Sequence, residues 1–232
     1  MKFSLIIPCY NEEDNLPLLL EGCRALAAKP GVEIILVDNG STDNSSDVLL
    51  NLLPNFSGCR SIRVEKNQGY GFGVISGLKA AKSEILGWTH ADLQTDPQDV
   101  LQGLELFDQH GLDLFVKGKR YGRPLADEFF TIGMSFFETL LLQKPLWDIN
   151  AQPTMFSRKF FETWATPPDD FALDLYAYYQ AQNKGLKVDR FYVRFGERAN
   201  GVSHWNVNWK SKWRFIMRTI NFSFQLKKKL PR

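Results

Sequence analysis

Three polar segments hold residues whose types and spacing could do chemistry. Asp38 ends an apolar run and is followed by Asn39-Gly40-Ser41-Thr42-Asp43. A carboxylate there can accept hydrogen bonds from a base or a ribose, and Gly40 allows close backbone approach. A helix cap, which Ser41 or Asp43 also satisfies, explains the same residues without a ligand. The segment from Lys66 to Gly73, KNQGYGFG, is glycine-rich and opens a helix. Such a loop can accommodate a phosphate at the helix N-terminus. Its spacing is not G-x-G-x-x-G and it follows the third apolar run, which disfavours a dinucleotide-binding oxidoreductase. A tight turn would explain one of its glycines, not all three. Finally, His90-Ala91-Asp92-Leu93-Gln94 follows a buried run, and alternation puts His90, Asp92 and Gln94 on one side. An imidazole, a carboxylate and an amide oxygen can ligate a divalent cation, with diphosphate oxygens completing its shell. A polar strand end making turn bonds is the alternative.

The elements that must position these groups alternate. Apolar runs at 3–8, 33–38, from 61, from 84 and from 113 read as strands. Amphipathic stretches between them read as helices: from an Asn11 cap to about Ala28, from 41–43 to about Leu53, Gly73 to Lys82, and one begun by Asp96-Pro97. Beyond these, a helix over about 127–142, a short strand at PTMFS, a helix over 171–184 and a strand from 188 are expected. The pattern predicts an α/β, Rossmann-like, mostly parallel sheet with helices on both faces. In such sheets ligands sit at the carboxyl ends of the strands, where PCYNEE, DNGSTD, KNQGYG and HADLQTD all fall.

Composition narrows the class. The chain has 232 residues, 44% hydrophobic and 23% charged, enough for one globular domain with an appendage. A net charge of +2 is too small to argue for nucleic acid. Cys9, Cys23 and Cys59 match neither a disulfide framework nor a zinc site, and read as reduced thiols. The start MKFSLIIPCYNEE is too short in apolar residues for a signal peptide, and no stretch approaches the ~20 apolar residues of a membrane span. A cytoplasmic protein is expected, peripheral at the inner face of the cell membrane.

Taken in order, PCYNEEDNL, ILVDNGSTD, KNQGYGFG and HADLQTDP strongly resemble the family 2 glycosyltransferases of GT-A fold, and among them the dolichol- and polyprenyl-phosphate sugar synthases. The resemblance covers roughly residues 3–205. It implies that Pro8, Tyr10, Asn11 and Glu12 line a nucleotide pocket and that Asp38, with Gly40 behind it, contacts base or ribose. Asn67 and Gly69 would lie near ribose and diphosphate. Asp92 would be the second aspartate of the metal motif, with Gln94 as a further ligand; His90 stands where the family has its first aspartate. Imidazole suits Mn²⁺ better than Mg²⁺. Gly118-Lys119-Arg120-Tyr121 resembles the family's phosphate-meeting basic turn, and Arg198, Gly201, Ser203 and Trp205 its later arginine-glycine-serine segment. Asp148 to Gln152 corresponds to an acceptor-side loop. The reaction implied is inverting transfer of a sugar from a UDP- or GDP-sugar to a lipid phosphate or lipid-linked glycan. Asp174 is the candidate general base for a hydroxyl acceptor, with Asp148 second. Such an enzyme would serve surface-polysaccharide or lipid-glycan assembly. A non-catalytic nucleotide-sugar binding module and a sugar-nucleotide pyrophosphorylase are the other readings. The latter's glycine-rich arginine loop is replaced here by Cys9-Tyr10-Asn11-Glu12-Glu13.

Residues 205–232 read as an appendage to a domain of 1–204. Eight basic residues and no acidic one lie between Lys210 and Arg232. Trp205, Trp209, Trp213, Ile216, Ile220 and Phe224 fall on one helical face beside the cations, the pattern of a helix in a bilayer interface. Packing of that stripe on the domain's own core is the competing reading.

Overall fold

A computed structural model describes residues 2–200 and 209–228. All seven expected strands form: β1 (Phe3–Cys9), β2 (Val32–Asn39), β3 (Cys59–Val64), β4 (Ile85–Trp88), β5 (Leu114–Tyr121), β6 (Thr154–Ser157) and β7 (Lys187–Arg194). They make one sheet in the order β3-β2-β1-β4-β6-β5-β7. Every neighbouring pair is parallel except those of β6, which runs antiparallel between β4 and β5.

The apolar strands are near-continuous because both sheet faces are covered, and side-chain alternation divides them between two cores. Ile6, Ile35, Val37, Leu86, Trp88 and Phe156 pack under α3 (Tyr70–Ala80) and α7 (Leu173–Asn183). Their neighbours Leu5, Ile7, Ile34, Leu36, Ile85 and Met155 pack under α1 (Leu16–Ala27) and α4 (Val100–His110). The remaining helices are α2 (Ser45–Leu52), α5 (Leu125–Leu142), the single-turn α6 (Arg158–Phe161) and α8 (Trp209–Lys228). The three cysteines are free, and burial pushes the Cys9 thiol well up.

Several helix starts differ from expectation. Asn11 does not cap α1; it adopts a left-handed conformation (φ 55°), and the helix begins at Leu16 behind Asn15. Its amide and carbonyl oxygen instead bind the 41–42 turn, as described below. Helix α3 begins at Tyr70 rather than Gly73, directly after Gly69, whose φ of 121° reverses the chain. The predicted C-terminal helix is described over 209–228; its expected first residues lie outside the described residues. There, Phe222 packs partly against the core and Leu226 is buried, whereas Trp213 and Phe224 of the predicted stripe are exposed. Among the described residues no helix is long and apolar enough to cross a membrane.

Candidate active site

Because β1 to β4 are mutually parallel, the loops after them open on one edge of the sheet. A cavity of about 340 Å³ lies there. Of the residues expected to bind ligand, Pro8, Tyr10, Glu12, Asn67, Gly69, His90, Asp92 and Arg198 line it.

The first two motifs brace one another. The Asn11 N–H donates to Ser41 Oγ (3.1 Å), and Asn11 Oδ1 accepts from the Thr42 N–H (2.9 Å). The Glu12 N–H donates to Ser45 Oγ (2.9 Å), and Glu13 Oε2 accepts from the Asn44 N–H (3.0 Å). Asn11 is thus a scaffold residue and does not line the cavity. Asp38 does not line it either. Its buried carboxylate accepts from the Ser41 N–H (2.9 Å) and from Ser46, with Arg63 3.5 Å away. These are turn bonds rather than a helix cap, since α2 begins at Ser45 behind Asn44. Its neighbour Asn39 faces the cavity instead and donates to the Gly69 carbonyl (2.9 Å). Gly40, at φ 71°, lets this turn press against the backbone of Lys66 and Asn67.

The glycine-rich loop is explained by close packing. A Cβ on Gly71 would come within 2.5 Å of the Pro168 carbonyl, and one on Gly69 would collide with that of Asp169. The Asp169 carbonyl also takes the Phe72 N–H (2.9 Å), one of the donors that a phosphate at this helix start would use. The close approach sets Asp170 and Phe171 in the cavity wall, where Phe171 stacks on Tyr70 at 4.6 Å. Tyr70 in turn lies 5.5 Å from the His90 ring.

Strand β4 stops at Trp88, so strand alternation does not extend to 90–94. A turn with Leu93 at φ 57° sets the side chains, and His90 and Asp92 face the cavity whereas Gln94 does not. The Gln94 side chain donates to the Gly196 carbonyl (3.2 Å), and the Gly196 N–H returns a bond to the Gln94 carbonyl (2.8 Å). This double tie carries the chain after β7 back over the cavity and delivers Arg198, whose guanidinium meets Asp92 Oδ2 at 2.8 Å.

The expected acceptor-side residues form two groups away from the cavity lining. Arg120 is held by the buried Asp148, and the pairing keeps the Asp148 carboxyl below its usual range despite burial. Lys119 is exposed and donates to the Tyr192 hydroxyl (3.1 Å). Asp174 and Gln152 are fully buried, with Gln152 Nε2 donating to Asp174 Oδ1 at 2.6 Å. Lys117 stands 3.8 Å from Asp174 and donates to Thr154 Oγ1 (2.7 Å). Burial drives Asp174 up and Lys117 down to about 7, so desolvation outweighs the attraction between them. Ser203 lies outside the described residues.

Cys9, Asn39, Tyr70, Ala91, Asp170, Phe171 and Arg218 also line the cavity without having been singled out as ligand-binding. Asn39 could have been found, since it ends β2 next to Asp38. Arg218 lies on α8, more than 120 residues after the last of the four strand-end motifs, and reaches the cavity beside Asp170 (3.5 Å). Among the described residues no cluster of three His, Cys, Asp or Glu could hold a metal alone.

Comparison with known proteins places this arrangement. Residues 4–164 match the family described as Glycosyl transferase family 2. An undecaprenyl-phosphate 4-deoxy-4-formamido-L-arabinose transferase of Serratia proteamaculans is 35% identical over 104 residues, 43% of this chain. Its counterpart in Yersinia enterocolitica is 38% identical over the same length. The chain spans 31% of each of these relatives. Among solved structures, glucosyl-3-phosphoglycerate synthase of Mycobacterium tuberculosis, with Mn²⁺, UDP and phosphoglyceric acid, superposes over 100% of this chain and 80% of its own (TM-score 0.73, 16% identity). A Pyrobaculum calidifontis mannosyltransferase with GDP-Man and Mn²⁺ covers 97% and 64% (TM-score 0.69, 15% identity). The fold is GT-A, with its Rossmann-like sheet, and the chain belongs to glycosyl transferase family 2.

Proposed function

We propose that this chain transfers a sugar, with inversion, from a nucleoside diphosphate sugar to a phosphate acceptor held at a membrane. The observation that carries the reading is the convergence of Asp92, His90, Arg198 and Arg218 on one cavity at the carboxyl ends of parallel strands. The aromatic wall of Tyr70 and Phe171 borders them, and Asn39, Asn67 and Tyr10 supply polar groups for base and ribose.

In this reading the bond from the anomeric carbon to the diphosphate breaks and its electron pair leaves with the diphosphate. A new bond forms to an acceptor oxygen on the opposite face. Arg198 and Arg218 meet the charge that develops on the leaving group, a planar fork being suited to paired phosphate oxygens. Asp92 and His90 are one carboxylate and one imidazole facing the same space, a donor set suited to a cation shared with substrate phosphates rather than caged by protein. Mn²⁺ or Mg²⁺ there would add charge stabilisation to the departing diphosphate.

The printed names of the relatives support a polyprenyl-phosphate acceptor. So does the placement of Asp174: a phosphate is already an anion and requires no general base, and this carboxyl is buried rather than lining the cavity. A helix with basic residues at the end of the chain supports peripheral attachment to an anionic membrane.

The test is a thermal-shift series with UDP-, GDP- and dTDP-sugars, with and without Mn²⁺ or Mg²⁺. One nucleotide is expected to raise the melting temperature in a metal-dependent way, by about 2.7 kcal/mol of stability at a hundredfold excess over Kd. No shift with any donor would overturn the proposal.

A further inference from the structure

Helix α5 buries two polar residues and exposes an apolar stripe, with Asp127 and Glu128 half-buried at its first turn. Its buried residues are Ser135, Glu138 and Leu142. Ser135 Oγ accepts the Asp148 N–H (3.0 Å), and Glu138 Oε1 accepts from the Ser223 hydroxyl of α8 (2.7 Å). Outward, Leu125 and Phe129 are each 72% exposed, Phe136 64% and Leu140 62%, with Ile132 at 44% and Phe130 at 39%. No polar or charged residue of this helix is exposed. Leu125, Phe129, Ile132, Phe136 and Leu140 follow one another at spacings of four, three, four and four, a single stripe along the helix. An apolar patch of this extent marks an interaction surface.

Charge identifies the occupant. Helix α8 packs against α5, with Phe137 and Phe224 rings 6.5 Å apart. Its sequence between residues 209 and 228 has six Lys or Arg and no Asp or Glu; Arg218 faces the cavity, and Lys227 and Lys228 are exposed. Trp213 and Phe224 on it are also exposed. An apolar stripe beside cations of one sign matches the acyl boundary and headgroups of an anionic leaflet. A second copy of the chain would bring the same cations to the same rim, where they repel.

We propose that α5 is a bilayer-inserting element, its stripe lying in the acyl boundary of an anionic leaflet while α8 holds the headgroups. The proposal deepens the membrane-acceptor reading above, yet donor binding needs no lipid, so the two can fail separately.

The experiment is co-sedimentation of the full chain with phosphatidylcholine vesicles, with and without phosphatidylglycerol, for the natural sequence and for Phe129→Glu/Phe136→Glu and Phe129→Ser/Phe136→Ser. Both residues are exposed, so the variants should keep the natural melting temperature and any donor-induced shift. Strong binding to the anionic vesicles is expected, falling at least tenfold in both variants. Undiminished binding by the variants would overturn the proposal, because α8 alone would then suffice. Failure of the natural chain to bind anionic vesicles would also overturn it. So would a lipid-free dimer, seen by light scattering, that the variants dissociate, because a second copy would then cover the stripe.

Discussion

Asp92 joins two demands. Its Oδ2 holds Arg198 and its Oδ1 accepts the Gln94 N–H at 3.2 Å, so one carboxylate fixes both the turn and the guanidinium that closes the cavity. Asp92→Asn keeps the size and loses the charge. Sugar transfer is expected to fall by about a hundredfold or more, the loss typical of removing one charge-stabilising group, with the melting temperature nearly unchanged. Activity within a few-fold of the natural chain, measured with saturating metal, would contradict the role. Arg198→Lys should weaken donor binding while leaving the fold intact, because a single ammonium cannot replace the planar fork. A donor titration by calorimetry reads this directly.

At the scale of elements, the start of α3 and the 168–170 loop act as one unit. Gly71 meets only backbone atoms of that loop, which no side-chain rotation can relieve. Gly71→Ala is therefore expected to cost about 1–3 kcal/mol of stability, as overpacking does, and to displace Phe171 from Tyr70. Urea denaturation measures the first, and loss of donor binding at temperatures where the variant is still folded reports the second. A variant as stable as the natural chain would show that the loop packs elsewhere. Helix α5 shows how an element's sequence can be misjudged: its periodicity is amphipathic, but the polar side is the one against the protein.

Across the whole molecule, α5 and α8 are joined through a buried carboxyl. Burial raises Glu138 to about 7, opposed by the Ser223 hydrogen bond. Ser223 has one proton and two acceptors, Glu138 Oε1 and the Thr219 carbonyl (2.8 Å). Its single proton is shared between them, so the bond that favours the charged carboxylate is weakened and burial prevails. The folded-state pKa therefore exceeds the unfolded one near 4.5, the folded state binds the extra proton, and stability falls as pH rises between about 4.5 and 7. Glu138→Gln should match the natural chain at pH 4.5 and exceed it at pH 8, by at most about 3.4 kcal/mol at 1.36 kcal/mol per pH unit. Equal stability at pH 8 would show that burial does not raise the carboxyl's pKa in the folded state.

The sequence by itself determined the strands, the sheet class and the edge at which a ligand sits. Strands buried on both faces must be apolar throughout, and turns at their carboxyl ends must be polar, so both leave local marks. The motifs PCYNEE, DNGSTD and HADLQTD were legible for the same reason. The division of labour inside them was not. Asp38 or Asn39, Asn11 or Glu12, and His90 or Gln94 are neighbours or near neighbours, and only the turn dihedrals and competing hydrogen bonds decide which side chain faces the cavity. The reversal of β6, the arrival of Arg198 and Arg218 and the outward face of α5 depend on contacts between segments far apart in the chain. No local propensity encodes them, and the tertiary structure alone decided them.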